Sequence, residues 1–165
     1  MVPQAVGCGR RWRRWTSYPW LKTLHILLAI VAVGFNMSYG IWLARAAREP
    51  QQYGYVLRGI KFLDDRIANP AYAGLLLVGL LLIFIGPYDL TDTWVLIAIG
   101  LYVLMGAVAI LLYSPTLSRQ IAAYEGGGAG SPEFLALGTR ARILGIVLAV
   151  IVLLILVMMV VKPGS

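Results

Sequence analysis

One histidine, His25, occurs in the chain of 165 residues, near the start of a long apolar run and with Lys22 one helical turn before it. A neutral imidazole nitrogen is an axial ligand for heme iron, and helical bundles are a common place for that cofactor. The same ring also has a purely structural use. An intramembrane histidine needs a hydrogen-bond partner, such as a backbone carbonyl or a group on another helix, and it needs no metal for that. A heme held by two histidines of one chain is excluded by the count, so a sixth ligand would come from Met37, Met105, Met158, Met159, Lys22, water or His25 of a second copy. Copper wants several soft ligands close together. The five methionines form no such group beyond Met158 and Met159, and adjacent helical side chains point about 100° apart.

His25, Ala29, Ala32, Asn36 and Gly40 follow one another at steps of 4, 3, 4 and 4, which is one helical stripe. An imidazole and an amide in hydrocarbon require partners and small residues admit a neighbouring helix, so this stripe is expected to face protein. The cofactor-binding candidates are therefore His25, Lys22 and Asn36, and His25 is the metal ligand if heme iron is present. Gly100 and Gly106, and the pair Gly145 and Ala149, suggest close packing elsewhere in the bundle. All seven acidic residues lie outside the apolar runs, and no inverted repeat is visible, which counts against an ion-coupled transporter. Phosphate-binding loops, zinc-protease motifs and serine-hydrolase elbows are missing from the sequence. With Cys8 as the single cysteine, the chain can form neither an internal disulfide nor a thiolate metal cluster.

The elements that would position these residues are membrane helices. The sequence is 60% hydrophobic and 13% charged, with a mean hydropathy of +0.81, far above the range of soluble domains. A helix needs about 20 residues to cross the hydrocarbon. Four runs, over residues 18–44, 70–86, 93–113 and 140–161, meet or approach that length. The expected fold class is an all-α membrane protein, four transmembrane helices in a compact bundle over residues 18–165, preceded by a basic tail over residues 1–17. That tail interleaves Arg10, Arg11, Arg13 and Arg14 with Trp12 and Trp15, a basic and aromatic border of the kind found at membrane interfaces. Its arginine pairs and Ala44-Arg45-Ala46 have the outline of an export signal and its cleavage site, but the apolar run is far too long, and it is expected to stay.

Between the first two spans, Tyr53, Val56, Leu57, Ile60, Leu63 and Ile67 recur at steps of three and four, with Arg58, Lys61, Asp64 and Asp65 assigned to the other side. This predicts an amphipathic helix along the interface, ended by Asn69-Pro70. Gly86-Pro87 ends the second span, Ser114-Pro115 follows the third, and the glycine-rich run from Glu125 to Pro132 predicts a flexible loop. The 14 lysines and arginines sit beside apolar helices, so lipid head groups, not nucleic acid, are the expected counter-charge. Eight of those 14 fall at residues 45–69 and 114–142, which favours a cytoplasmic placement of the loops 45–69 and 114–139 in a bacterial inner membrane.

Leu21-Lys22-Thr23-Leu24-His25-Ile26, Asp92-Thr93-Trp94-Val95-Leu96, Leu101-Tyr102-Val103-Leu104-Met105-Gly106-Ala107 and the closing Met159-Val160-Val161-Lys162-Pro163, in that order, resemble the bacterial membrane family known as domain of unknown function 2269. That family is similar in outline to copper-resistance D-type proteins and HemJ-type protoporphyrinogen oxidases, where a Lys-x-x-His opens the first helix. The resemblance implies that Lys22 and His25 are heme-linked. The sequence departs from the HemJ pattern at Val33-Gly34-Phe35-Asn36, where a Trp and a Gly-rich stretch are expected. Two readings follow. One is an inner-membrane accessory or interaction subunit, acting as a homodimer or within a larger membrane complex; the other is a heme-b redox protein or porphyrin-related oxidase with His25 as axial ligand.

Overall fold

In hydrocarbon the backbone can satisfy its N–H and C=O groups only within a helix or a closed barrel, and the long Leu, Ile, Val and Ala runs choose the helix. The computed structural model describes residues 8–86 and 88–163, with side chains from Tyr18 onward. It is all-α, without strands among the described residues. Helix α1 runs over Cys8–Ala46. A short 3-10 turn at Pro50–Gln52 leads into α2, Tyr53–Leu63, which continues through a π-turn at Asp64–Ala68 into α3, Asn69–Ile85. After a tight connection, α4, Thr93–Val108, passes through a second π-turn, Ala109–Tyr113, into α5, Ser114–Gly127, and α6 closes the chain over Pro132–Val161. Four stretches are long and apolar enough to cross a membrane.

The two prolines expected to break helices do something else. Pro70 and Pro115 lack an N–H, and their rings would collide with the carbonyl four residues earlier. The helix widens instead of ending. The N–H of Asn69, just before Pro70, bonds five residues back to the Asp64 carbonyl, and the N–H of Ser114, just before Pro115, bonds to that of Ala109. As a result Pro50–Ile85 and Thr93–Gly127 are unbroken stretches of 36 and 35 residues. At 1.5 Å per residue each is over 50 Å long, against about 30 Å of hydrocarbon. The apolar runs occupy the second half of one and the first half of the other, so the surplus, α2 and α5, emerges at the same end of the bundle.

That end holds the packed core. The amphipathic helix is present as α2, but its apolar stripe meets protein: Leu57 and Ile60 are buried with Tyr39 of α1, Tyr113, Leu117 of α5 and Phe134 of α6. Asp64, expected on the polar side, is buried as well, because it stands four residues after Ile60 and so continues the same stripe. In the spans, α1 packs on α3 and α4 on α6, while α2 meets α1 and α5. Only 6–17% of each span's most apolar window is buried within the chain, so the outer faces are left for lipid.

Three further expectations change. Of the predicted tail, residues 1–7 lie outside the described residues, and the backbone from Cys8 already belongs to α1; Pro87, part of the expected stop after α3, also lies outside them. The glycine-rich run is a loop only over residues 128–131: α5 continues to Gly127, Gly128 takes φ 72° as its N–H bonds the Tyr124 carbonyl, and Ser131 caps α6 by accepting the Phe134 N–H at 3.3 Å. Among the glycines, Gly100 and Gly106 have open space where a side chain would project, while Gly74 and Gly79 let α1 approach α3: a Cβ on them would come within 3.4 Å of Leu28 and 3.0 Å of His25.

Candidate functional site

Among the described side chains of α1, the buried ones are Ala32, Tyr39 and Ala46, spaced by seven, with the half-buried His25 seven residues before them. A seven-residue repeat keeps one face of a helix against a slightly crossing partner. Gly40, placed on the inner stripe by the sequence, is exposed with nothing near it. Asn36 and His25 do not share a site: eleven residues of helix separate them by ~16 Å along the axis.

Asn36 belongs to a polar cluster that ties three helices together. Its Nδ2 donates to the Tyr72 hydroxyl at 2.8 Å and to the Ala32 carbonyl at 3.0 Å, and the Tyr102 hydroxyl donates to the Tyr72 carbonyl at 2.5 Å. Polar groups of this kind hold membrane helices in register at roughly 0.6 kcal/mol per pair. Toward the extension end the cluster continues with Tyr39, Asp64 and Tyr113, exposed by 3%, 8% and 9%. The Asp64 carboxylate lies within electrostatic reach of the hydroxyls of Tyr39, Tyr72 and Tyr113, and hydrogen-bonds the Asn69 side chain. Lys61 is committed to the neighbouring Asp65, with both carboxylate oxygens at 2.6 and 2.7 Å. Among the side chains here, the Tyr39 hydroxyl is buried without a hydrogen-bond partner. The sequence reasoning missed Asp64, and the signal was available in the spacing Leu57, Ile60, Asp64.

His25 lies at the other end of the α1 and α3 pair. Its ring rests on Gly79, with the Leu75 backbone beside it as an acceptor, and its Nδ1 is buried without a partner. Lys22, one turn earlier, is exposed. Three observations bear on heme. Gly79 fills one side of the ring. Met37 stands twelve residues along α1, ~18 Å away, and is 70% exposed. Lys22 shares the His25 face of α1 and cannot approach an iron from the opposite side. Met37 and Lys22 therefore do not fit as the second protein ligand of an iron on His25 within one chain. No group of three or more His, Cys, Asp or Glu side chains arranged for a metal occurs among the described residues.

The closing Lys-Pro has a clear structural part. Lys162 takes the left-handed conformation, φ 46°, at the end of α6 and hydrogen-bonds the Tyr88 hydroxyl. Its ammonium lies 4.1 Å from the Tyr88 ring centre and 5.5 Å from that of Trp94, and the two rings meet edge to face at 5.2 Å. The hydrogen bond from Lys162 holds the Tyr88 phenol below its ordinary pKa, against an opposing effect of burial. This clamp joins the end of α6 to the start of α4.

Compared with known proteins, residues 19–163 match the model of the family described as "Predicted integral membrane protein (DUF2269)". No curated protein and no solved structure matches the chain.

Proposed function

Because the chain belongs to the DUF2269 family of integral membrane proteins, we propose that it is an accessory or interaction subunit of the bacterial inner membrane that presents α2 and α5 to a protein partner. The observation that supports this reading is the outward face of α2. One face of that helix is locked into the core through Leu57 and Ile60, while Tyr55 and Phe62 are 79% and 61% exposed on the other, with Arg58 between them. Tyrosine, phenylalanine and arginine are the residue types enriched in protein interfaces. A helix extended past the lipid and held rigid from behind is suited to present them. The partner is a second copy or a subunit of a larger complex, and the basic residues around the extension favour the cytoplasmic side.

A photo-crosslinking side chain at position 55 or 62, in the full chain in native membranes, should give one discrete protein adduct whose mass separates homodimer from complex. Phe62→Ser should reduce the adduct formed from position 55. Adducts to lipid alone, from both positions, would overturn the proposal.

A second reading is heme b with His25 as axial ligand, drawn from the unpartnered Nδ1 and from the likeness of the Lys22 and His25 motif to copper-resistance D-type and HemJ-type proteins. Since Met37 and Lys22 of the same chain do not oppose His25, the sixth ligand in this reading comes from Met105, Met158, Met159, water or His25 of a second copy. When bound, heme would supply one-electron redox chemistry. The purified protein, expressed with ample heme, should then show a Soret band that His25→Gln abolishes or shifts. A wild-type protein without the band would eliminate this reading and leave the first untouched.

A further inference from the structure

Asp64 is the one buried carboxylate among the described residues. A carboxylate removed from water is unfavourable unless paired, and Lys61, the cation within electrostatic reach of Asp64, is shared with Asp65, to which it donates two short hydrogen bonds. The hydroxyls of Tyr39 on α1, Tyr72 on α3 and Tyr113 in the second π-turn lie within electrostatic reach of Asp64, and the Asn69 amide hydrogen-bonds it. Independently of the carboxylate, the hydroxyl of Tyr39, a residue 97% buried by its 3% exposure, has no hydrogen-bond partner. A buried hydroxyl left unpaired is costly in its own right.

One occupant relieves both. A single carboxylate calls for a single positive charge, and uncharged oxygen ligands suit hard cations rather than soft metals. His and Cys ligands, which would recruit zinc or copper, form no group here. The place is also where both long helices widen, at Asp64–Ala68 and Ala109–Tyr113. Such turns occur frequently at functional sites. We propose that the buried polar cluster of Asp64, Tyr39, Tyr72 and Tyr113 binds one small monovalent cation of the alkali type, with Asp64 supplying the charge and Tyr39 a neutral oxygen. The site stands independently of the partner surface on α2.

The test uses the full chain in lipid nanodiscs at fixed pH and ionic strength, with sodium or potassium chloride exchanged for choline chloride. A ligand that binds the folded state raises its melting temperature with the logarithm of concentration, so one alkali ion should stabilise the protein saturably while choline does not. Asp64→Asn should abolish the response. Tyr39→Phe should shift its midpoint to a several-fold higher concentration. Equal effects of choline and the alkali ions would overturn the proposal, as would an undiminished response in Asp64→Asn. So would a stability that follows pH with no preference among cations, because a proton then supplies the charge. If Asp64→Asn fails to fold, Tyr39→Phe decides: an unchanged midpoint rules the site out.

Discussion

Leu57→Ala should be among the most damaging apolar substitutions in this protein, although Leu57 lies outside the four apolar runs. Its side chain is fully buried, at 0% exposure, among Tyr39, Ile60, Tyr113, Leu117 and Phe134. Truncation removes three carbons, and at about 0.8 kcal/mol for each buried methylene the transfer loss alone is about 2.4 kcal/mol. The cavity left among aromatic rings adds to that, within the roughly 2–5 kcal/mol observed for such changes. Leu77, on α3, is the control, being 63% exposed toward lipid. Lipid tails are as apolar as leucine, so Leu77→Ala exchanges one apolar contact for another and should cost well under 1 kcal/mol. The assay is reversible unfolding in mixed micelles followed by far-UV circular dichroism. Leu57→Ala and Leu117→Ala should also couple, since both open the same core, whereas Leu57→Ala and Leu77→Ala should add. If Leu77→Ala proved as costly as Leu57→Ala, the idea that this fold is held by its extension end would fail.

Gly54→Ala should destabilise by roughly 1–3 kcal/mol, because the added Cβ meets the Tyr124 ring, whereas Gly100→Ala enters open space and should stabilise by up to about 1 kcal/mol; thermal melts of the two separate them. Tyr72→Phe should cost about 0.6 kcal/mol by losing the bond from Asn36, and the same melts would refute a structural role for that bond if nothing changed. The Tyr88 phenol is held below its ordinary value of about 10, so the clamp with Lys162 gains strength as pH rises through the folded-state pKa and loses it as pH falls back. Ultraviolet titration should show one tyrosine ionising early, and Lys162→Ala should return it to the normal range. An unaltered titration in that variant would contradict the assignment.

Much of this fold could be read from the chain because hydrophobic runs and their lengths report directly on bilayer crossing. The helical extension could not. Asn69-Pro70 and Ser114-Pro115 read locally as helix ends, since proline forbids one hydrogen bond in either outcome; what decides between a break and a π-turn is whether tertiary packing holds the following turn in place. Here α2 lies against α5, and Leu57, Leu117 and Phe134, far apart in sequence, supply the contact. The site was only partly legible. His25 and Asn36 were visible as polar residues in apolar surroundings, but their separation needed only the rise of a helix to be noticed. Asp64 was hidden by its neighbour Asp65: two adjacent carboxylates suggest a solvated face, yet successive helical residues point about 100° apart and only one of them is buried. Gln120, buried at 1% exposure beside Gly138, carried no sequence signal, because a lone glutamine in a polar stretch looks like surface.

The placement of the core also fixes an order of assembly. Membrane helices can enter the bilayer one by one, each satisfying its own backbone, before they find one another. The pairing of α1 with α3 requires only the first 85 residues, so it is available while the ribosome is still at work on the rest of the chain. The clasp at the extension end is different in kind, since Phe134, at the start of α6, is one of its central residues and the others extend from Tyr39 to Leu117. It cannot close until the last helix has begun to emerge. Until then α2 and α5 expose Leu57, Ile60 and Leu117, so the interval between the third and fourth spans is when this chain is most open to capture by a chaperone, a protease or a wrong neighbour.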